Sequence, residues 1–384
     1  MAQNRLIPFS RPWVDEVEIE AVSEVIASKW ISTGPKTAEF ERRFAEYIGV
    51  KHALAVNSCT AALHLSLVAT GIGEGDEVIT TPYTFTATAE AIGYTQAKPV
   101  FVDIDPLTLN IDVSKIEEQI TPRTRAIMPV HIAGLPCDMD ILLALCQKHD
   151  LLLIDDAAHA IPAEYYGHRI GSIGDLSAFS FYANKNLATG EGGMITTNSD
   201  NLAATIKPLC LHGLNKNAWA RRSSERIWYY EVETQGYKYN MSDIQAAMGL
   251  CQLMKLDKQD EIRHKYAEIY TSRLSDIPGI VSPREESTIR HAWHLYIIQL
   301  QPELLKISRD DFIDTMRQQN VECNVHYIPL HLFPAYQNRY GYRAGDFPAA
   351  EAAFNRVVSL PMHPGLTEED VHIVVDTIKE VLAR

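Results

Sequence analysis

The chain has 384 residues, 46% of them hydrophobic and 22% charged, a soluble globular composition that excludes disorder and collagen-like repeats. Lys and Arg number 35 against 49 Asp and Glu, and the net charge of −14 denies a nucleic acid or an anionic membrane the basic face it needs. No apolar run approaches the ~20 residues that span a bilayer.

In chain order, short β-rich apolar runs predict strands at 53–57, 77–81, 99–103, 126–130, 151–155, 178–182 and 194–197. Helical spacing fills 60–70, 86–95 and 139–149 between them. This alternation predicts an α/β fold with a mostly parallel, doubly wound sheet. Ligands of such sheets sit beyond the carboxyl ends of the strands.

From residue 242 the pattern changes. A long helix is expected over 242–274, then strands at 294–300, 321–328 and 356–360, with helices at 308–319 and 367–382. The expected division is a large α/β domain over 1–250 and a smaller α+β domain over 251–384. Residues 207–240 are polar, aromatic and basic without periodicity, and loops that long usually carry function.

Gly71, Gly73 and Gly75 imitate a dinucleotide fingerprint. They follow a helix and precede a strand, the reverse of the order that fingerprint needs, so they read as a loop. Asn57-Ser58-Cys59-Thr60 does run from strand to helix. Ser58 and Thr60 would stand at a helix N-terminus, where free N–H groups and hydroxyls suit a phosphate. Taken alone, Ser58 is as well explained as a plain N-cap. Cys59 has no base nearby to activate it.

The apolar run 151–154 ends in Asp155-Asp156. Neighbouring strand residues point to opposite faces, so the two acids cannot flank one glycosidic bond. One is expected to face a ligand and the other to be structural. After the run 178–182 comes Lys185, then Gly190, Gly192 and Gly193. Most lysines are solvated, but one held in a dry pocket is pushed toward the neutral amine that imine chemistry requires. A phosphate site, an acid for a pyridinium nitrogen and a lysine for an aldehyde together are what pyridoxal phosphate needs.

At these residues the sequence resembles the DegT/DnrJ/EryC1 family of sugar aminotransferases. The resemblance runs from Ser32-Thr33-Gly34-Pro35 through Asp156-Ala157-Ala158-His159, Ser180-Phe181 and Lys185. It continues through Gly236-Tyr237-Lys238-Tyr239-Asn240-Met241 to His326-Tyr327-Ile328-Pro329-Leu330-His331. It implies the aspartate-aminotransferase-like fold of type I, a homodimer with shared sites, and L-glutamate as amino donor. Lys185 would form the aldimine with pyridoxal phosphate and Asp156 would pair with the pyridine nitrogen. Thr60, in the turn with Ser58 and Cys59, and Ser180, on the 178–182 strand, would hold the phosphate, and Phe85 would stack on the ring. His159 stands where many members have glutamine and would reach the cofactor's phenolic oxygen. Lys238 and Asn240 depart from the family's Asn-Tyr-Arg order and would complete the partner subunit's phosphate site. The same variant marks the branch acting on uridine-diphosphate 4-keto sugars.

Thr33, His326 and His331 from these motifs, with Arg221 and Arg222 of the basic loop, are expected to face the nucleotide-sugar substrate. The histidines at 291, 294, 326 and 331 have no ligand spacing for a metal, and none is expected. They read as surface or substrate-lining groups. Six scattered cysteines without a CxxC pair, and a start at Met1–Phe9 without a signal-peptide pattern, predict a reduced, cytoplasmic protein. Three rivals remain: amination at C3 instead of C4, a sugar dehydratase, which in this family has histidine in place of Lys185, and a non-catalytic regulator on the same fold. A nicotinamide oxidoreductase lacks its glycine fingerprint.

Overall fold

The computed structural model describes residues 5–216, 218–222 and 226–383. The first four residues of the N-terminal reading and four positions of the 207–240 loop lie outside that set. Two helices, α1 (Glu16–Ala27) and α2 (Pro35–Ile48), lead into β1 (His52–Val56). There follow α3 (Cys59–Ala69), β2 (Glu77–Thr80), α4 (Thr86–Tyr94), β3 (Lys98–Phe101), β4 (Thr124–Ile127), α5 (Met139–His149) and β5 (Leu152–Asp156). The two-residue strands β6 (Glu164–Tyr165) and β7 (His168–Arg169) precede β8 (Leu176–Ser180), β9 (Gly193–Thr197), α6 (Asp200–Leu209) and α7 (Ala218–Arg222).

The main sheet has the order β1-β9-β8-β5-β4-β2-β3. Neighbours from β3 through β8 are parallel, and β9 runs antiparallel to both β8 and β1. The connection from β8 to β9 carries Lys185 and contains no helix, so the chain returns in the opposite direction. The glycines at 71, 73 and 75 form the turn between α3 and β2. Each strand of the main sheet falls within three residues of its expected bounds, β4 being the furthest off.

The long helix α8 (Asp243–Leu274) starts in a capping box built by Ser242 and Gln245. Leu250 and Leu256 of α8 pack in the core of the main sheet, whereas Tyr266, Tyr270 and Leu274 pack in a second core. A division at 250/251 therefore falls within this unbroken helix. The second core gathers β10 (Ile280–Val281), β12 (Tyr296–Leu300) and α9 (Arg309–Gln318), whereas the small strand β11 (Ile289–Arg290) pairs with β6 and packs on the core of the main sheet. It is completed by β13 (Val357–Leu360) and α12 (Glu368–Leu382), whereas α10 (Pro334–Tyr340) and α11 (Pro348–Phe354) pack through Tyr336, Ala350 and Ala353 in a separate cluster with Phe101 and Val130. Antiparallel β10, β12 and β13 form its sheet.

The strand expected over 321–328 does not form. Val321 and Asn324 make isolated bridges, to Ile7 and Ser359, and the chain then leaves the sheet. His326 and Tyr327 are carried instead into a cavity of the large domain, and Pro329 follows without a donor to extend a ladder. Among the described residues, no helix is long and apolar enough to cross a membrane.

Candidate active site

A cavity of about 500 Å³ opens at the carboxyl ends of β5 and β8. Ser58, Cys59, Thr60, Phe85, Asp156, His159, Ser180, Lys185 and His326, all singled out in the sequence, line it together. Ser58 caps α3, its hydroxyl accepting from the Ala61 N–H at 3.1 Å, so the N-cap and the cavity wall are one structure. Cys59 and Thr60 open the first turn of α3. A β-carbon at Gly193, the first residue of β9, would stand 2.5 Å from the carbonyl carbon of Ser58. Only glycine lets β9 pass beneath the α3 N-terminus.

The paired acids separate as the strand period requires. Asp156 is 4% exposed; its Oδ2 accepts from Thr88 Oγ1 at 2.7 Å and its Oδ1 from the Ala158 N–H at 3.1 Å. Burial raises its carboxyl above the usual range. Asp155 turns the other way, accepting from Ser177 Oγ at 2.8 Å, and burial pushes its carboxyl up to about 7. It does not line the cavity.

Lys185 sits in the turn after β8, and its Nζ lies 3.4 Å from His294 Nε2. Burial lowers its amine to about 8. Asp156 and Cys59 are the groups whose charge opposes that fall. Behind Lys185, Asn186 donates to the carbonyls of Ile161 at 2.9 Å and Ala292 at 2.8 Å. Its amide oxygen meets His294 Nδ1 at 3.2 Å.

His159 has both ring nitrogens engaged. Nδ1 accepts from the Ala133 N–H at 3.3 Å, and Nε2 meets the Tyr327 hydroxyl at 3.0 Å. A hydrogen bond from His159 to a cofactor oxygen would have to replace the one to Tyr327. Phe85 is 60% exposed at the start of α4, its ring 6.4 Å from that of Tyr327. It is therefore no core aromatic. His326 holds Ser359 Oγ through Nδ1 at 2.8 Å, and its backbone carbonyl accepts from the Tyr83 hydroxyl at 2.6 Å.

Six of the expected residues lie off this cavity. His331 is wholly buried, bound through Nε2 to Glu351 at 2.8 Å, and presents no surface to a substrate. Asn240 donates to Thr33 Oγ1 at 2.7 Å and accepts from Lys238 Nζ, a cluster beside the Asn57 turn. Arg222 lies over the rings of Trp30 and Trp219, and Arg221 over Tyr230. Conversely, Thr88, Tyr327, Asn186 and His294 belong to the site and were not singled out for it. Histidine at 294 stood out in the sequence only as one of a group without metal spacing. Thr88 had no mark at all, because its role depends on α4 crossing the end of β5.

Residues 12–379 match the DegT/DnrJ/EryC1/StrS aminotransferase family. The chain is 49% identical to the spore coat polysaccharide biosynthesis protein SpsC of Bacillus subtilis, over 99% of this chain and 98% of that one. It is 42% identical to the GDP-perosamine synthase of Caulobacter vibrioides, over 98% of each chain. Among solved structures, the putative sugar aminotransferase Spr1654 of Streptococcus pneumoniae in its PMP form superposes with a TM-score of 0.92 at 35% identity, covering 98% of this chain and 99% of that one. Its PLP form gives 0.91 at 34% identity, with the same coverage of both chains.

Proposed function

The chain belongs to the DegT/DnrJ/EryC1/StrS aminotransferase family, and on that premise we propose that it uses pyridoxal phosphate to move an amino group from L-glutamate to a nucleotide-linked 4-keto sugar. The observation that carries this reading is a single cavity lined by Thr60, Asp156, Ser180 and Lys185. Their chemistry suits the cofactor. A helix N-terminus flanked by hydroxyls suits a phosphate. A buried carboxylate requires a cation, and a protonated pyridine nitrogen is one. An amine brought down to about 8 suits an aldehyde.

Bound there, pyridoxal phosphate supplies an aldehyde for amines and a ring that accepts the electrons released at an amino acid's α-carbon. Ser58, Cys59, Thr60 and Ser180 hold the phosphate. Asp156 keeps the pyridine nitrogen protonated, and Thr88 fixes the carboxylate's direction. Phe85, which lines the cavity, would stack on the ring. Lys185 Nζ would hold the cofactor through its aldehyde and, with its amine lowered to about 8, would serve as the base and acid that moves the proton at the donor's α-carbon.

The working unit is a homodimer in the cytoplasm, in which Lys238 and Asn240 complete the partner's phosphate site. That reading is supported by the exposed position of Lys238, outside its own chain's cavity. Uridine diphosphate is the carrier favoured by the Lys238-Tyr239-Asn240 variant. Guanosine diphosphate is the second reading, favoured by likeness to the GDP-perosamine synthase. The product is an amino sugar for a surface polysaccharide or glycan.

The test is 2-oxoglutarate release with glutamate and a panel of UDP- and GDP-linked 4-keto sugars and a 3-keto sugar. Turnover with a UDP-linked 4-keto sugar is expected. Preference for the GDP series changes the carrier, and preference for the 3-keto sugar moves the reaction to C3. No release with any of them, from protein loaded with cofactor, leaves the regulator.

A further inference from the structure

Neutral imidazole has one nitrogen that donates and one that accepts, and its partners decide which is which. Around His294 the partners decide it completely. Asn186 donates both amide hydrogens to the carbonyls of Ile161 and Ala292, so the group facing His294 is its oxygen. An amide oxygen can only accept. His294 Nδ1 must therefore carry the ring proton, and Nε2 presents a bare lone pair to Lys185 Nζ, 3.4 Å away. Asn186 and His294 are 2% and 5% exposed, so no bulk water competes for these bonds.

We propose that Asn186 and His294 form a positioning relay for Lys185, in which His294 Nε2 only accepts from the amine and so leaves the nucleophilic lone pair of Nζ free to face the cavity. The opposite tautomer would donate to that lone pair and occupy it. The relay rests on the reading of Lys185 as the reactive amine. His294 lies behind Lys185 and does not line the cavity, so it acts through the lysine. Burial, then the charges of Lys185, His159, Arg263 and His326, keep His294 neutral and far below its usual range. The other titratable groups in the lysine's field are Asp156, Cys59, His159 and His326. None of them is tied to the ring proton of His294.

The relay is testable on the full chain without cofactor. Acylation of Lys185 by a small reagent, followed peptide by peptide against pH, reads the pKa of its amine. An acceptor stabilises the ammonium form, so His294→Phe should lower that pKa by about one pH unit. His294→Gln, which offers a carbonyl oxygen, should restore most of it. An unchanged profile in a folded His294→Phe chain would overturn the proposal. A second measurement needs no variant to fold. Nitrogen-15 NMR of histidine-labelled wild type should show His294 with a protonated Nδ1 and a bare Nε2, and the reverse pattern would overturn it equally. If the relay holds but borohydride fixes the cofactor on another lysine, the assigned role of Lys185 fails and the tautomer stands.

Discussion

Burial sets the charge states of this site more than any ion pair does. Asp155 and Asp156 are both raised by it, yet only Asp156 has a cavity in front of its carboxylate. Asp156→Asn should leave the fold intact and lower turnover by about two orders of magnitude or more, since a neutral amide cannot keep a pyridine nitrogen protonated. Asp155→Asn should cost far less activity, and equal losses would mean the strand faces are wrongly assigned. Asp155 should reveal itself through stability. Its folded pKa of about 7 exceeds the ordinary value of 3.8, so the folded chain holds a proton that the unfolded chain releases across that window. The resulting stabilisation is complete below the lower value and is lost as pH rises through about 7. Asp155→Asn removes this slope, so denaturant midpoints should shift in favour of the variant between pH 5 and pH 8. A constant difference would contradict it. The opposite facing of the two acids was legible in the sequence because strand period alone dictates it. The partners Thr88, Asn186 and His294 were not, because each meets its target across the fold.

At the scale of elements, the α3 N-terminus and the start of β9 are one unit. Gly193→Ala would drive a methyl into the Ser58–Cys59 backbone, whose atoms lie 2.5–2.7 Å from its place. Relieving such overpacking costs roughly 1–3 kcal/mol. Because the turn that must move is the proposed phosphate site, the dissociation constant for pyridoxal phosphate should rise about fivefold to a hundredfold. Unchanged affinity, measured by fluorescence titration, would place the phosphate elsewhere. The strands of the main sheet were legible because buried strands are near-continuous apolar runs. So was α8, with its Ser242 cap. The sheet of β11, β6 and β7 was invisible, since two-residue strands carry no period. The segment 321–328 misled for a different reason. Its β-rich composition serves the packing of Val321 and the placement of Tyr327, and no ladder forms between them.

At the scale of the molecule, a net charge of −14 would repel the proposed nucleotide-sugar substrate, so local cations would have to supply the attraction. Arg221→Gln with Arg222→Gln should raise KM for the nucleotide sugar more than for glutamate, and equal effects would remove the loop from the substrate's path. Glutamine retains part of the contact that Arg222 makes with Trp30 and Trp219. The shared site can be tested by mixing Lys185→Ala chains with chains carrying Lys238→Ala and Asn240→Ala. If each site draws on both chains, hybrids hold one intact site and activity returns to roughly a quarter of wild type. A verified hybrid population without recovery would mean that each chain holds its own phosphate. All of these expectations presuppose that Lys185 carries the cofactor. Borohydride reduction of the loaded protein, followed by peptide mapping, tests that directly. The account predicts a single labelled peptide containing Lys185, absent from Lys185→Ala. A label on any other lysine, or a folded and loaded protein with no label at all, would contradict it.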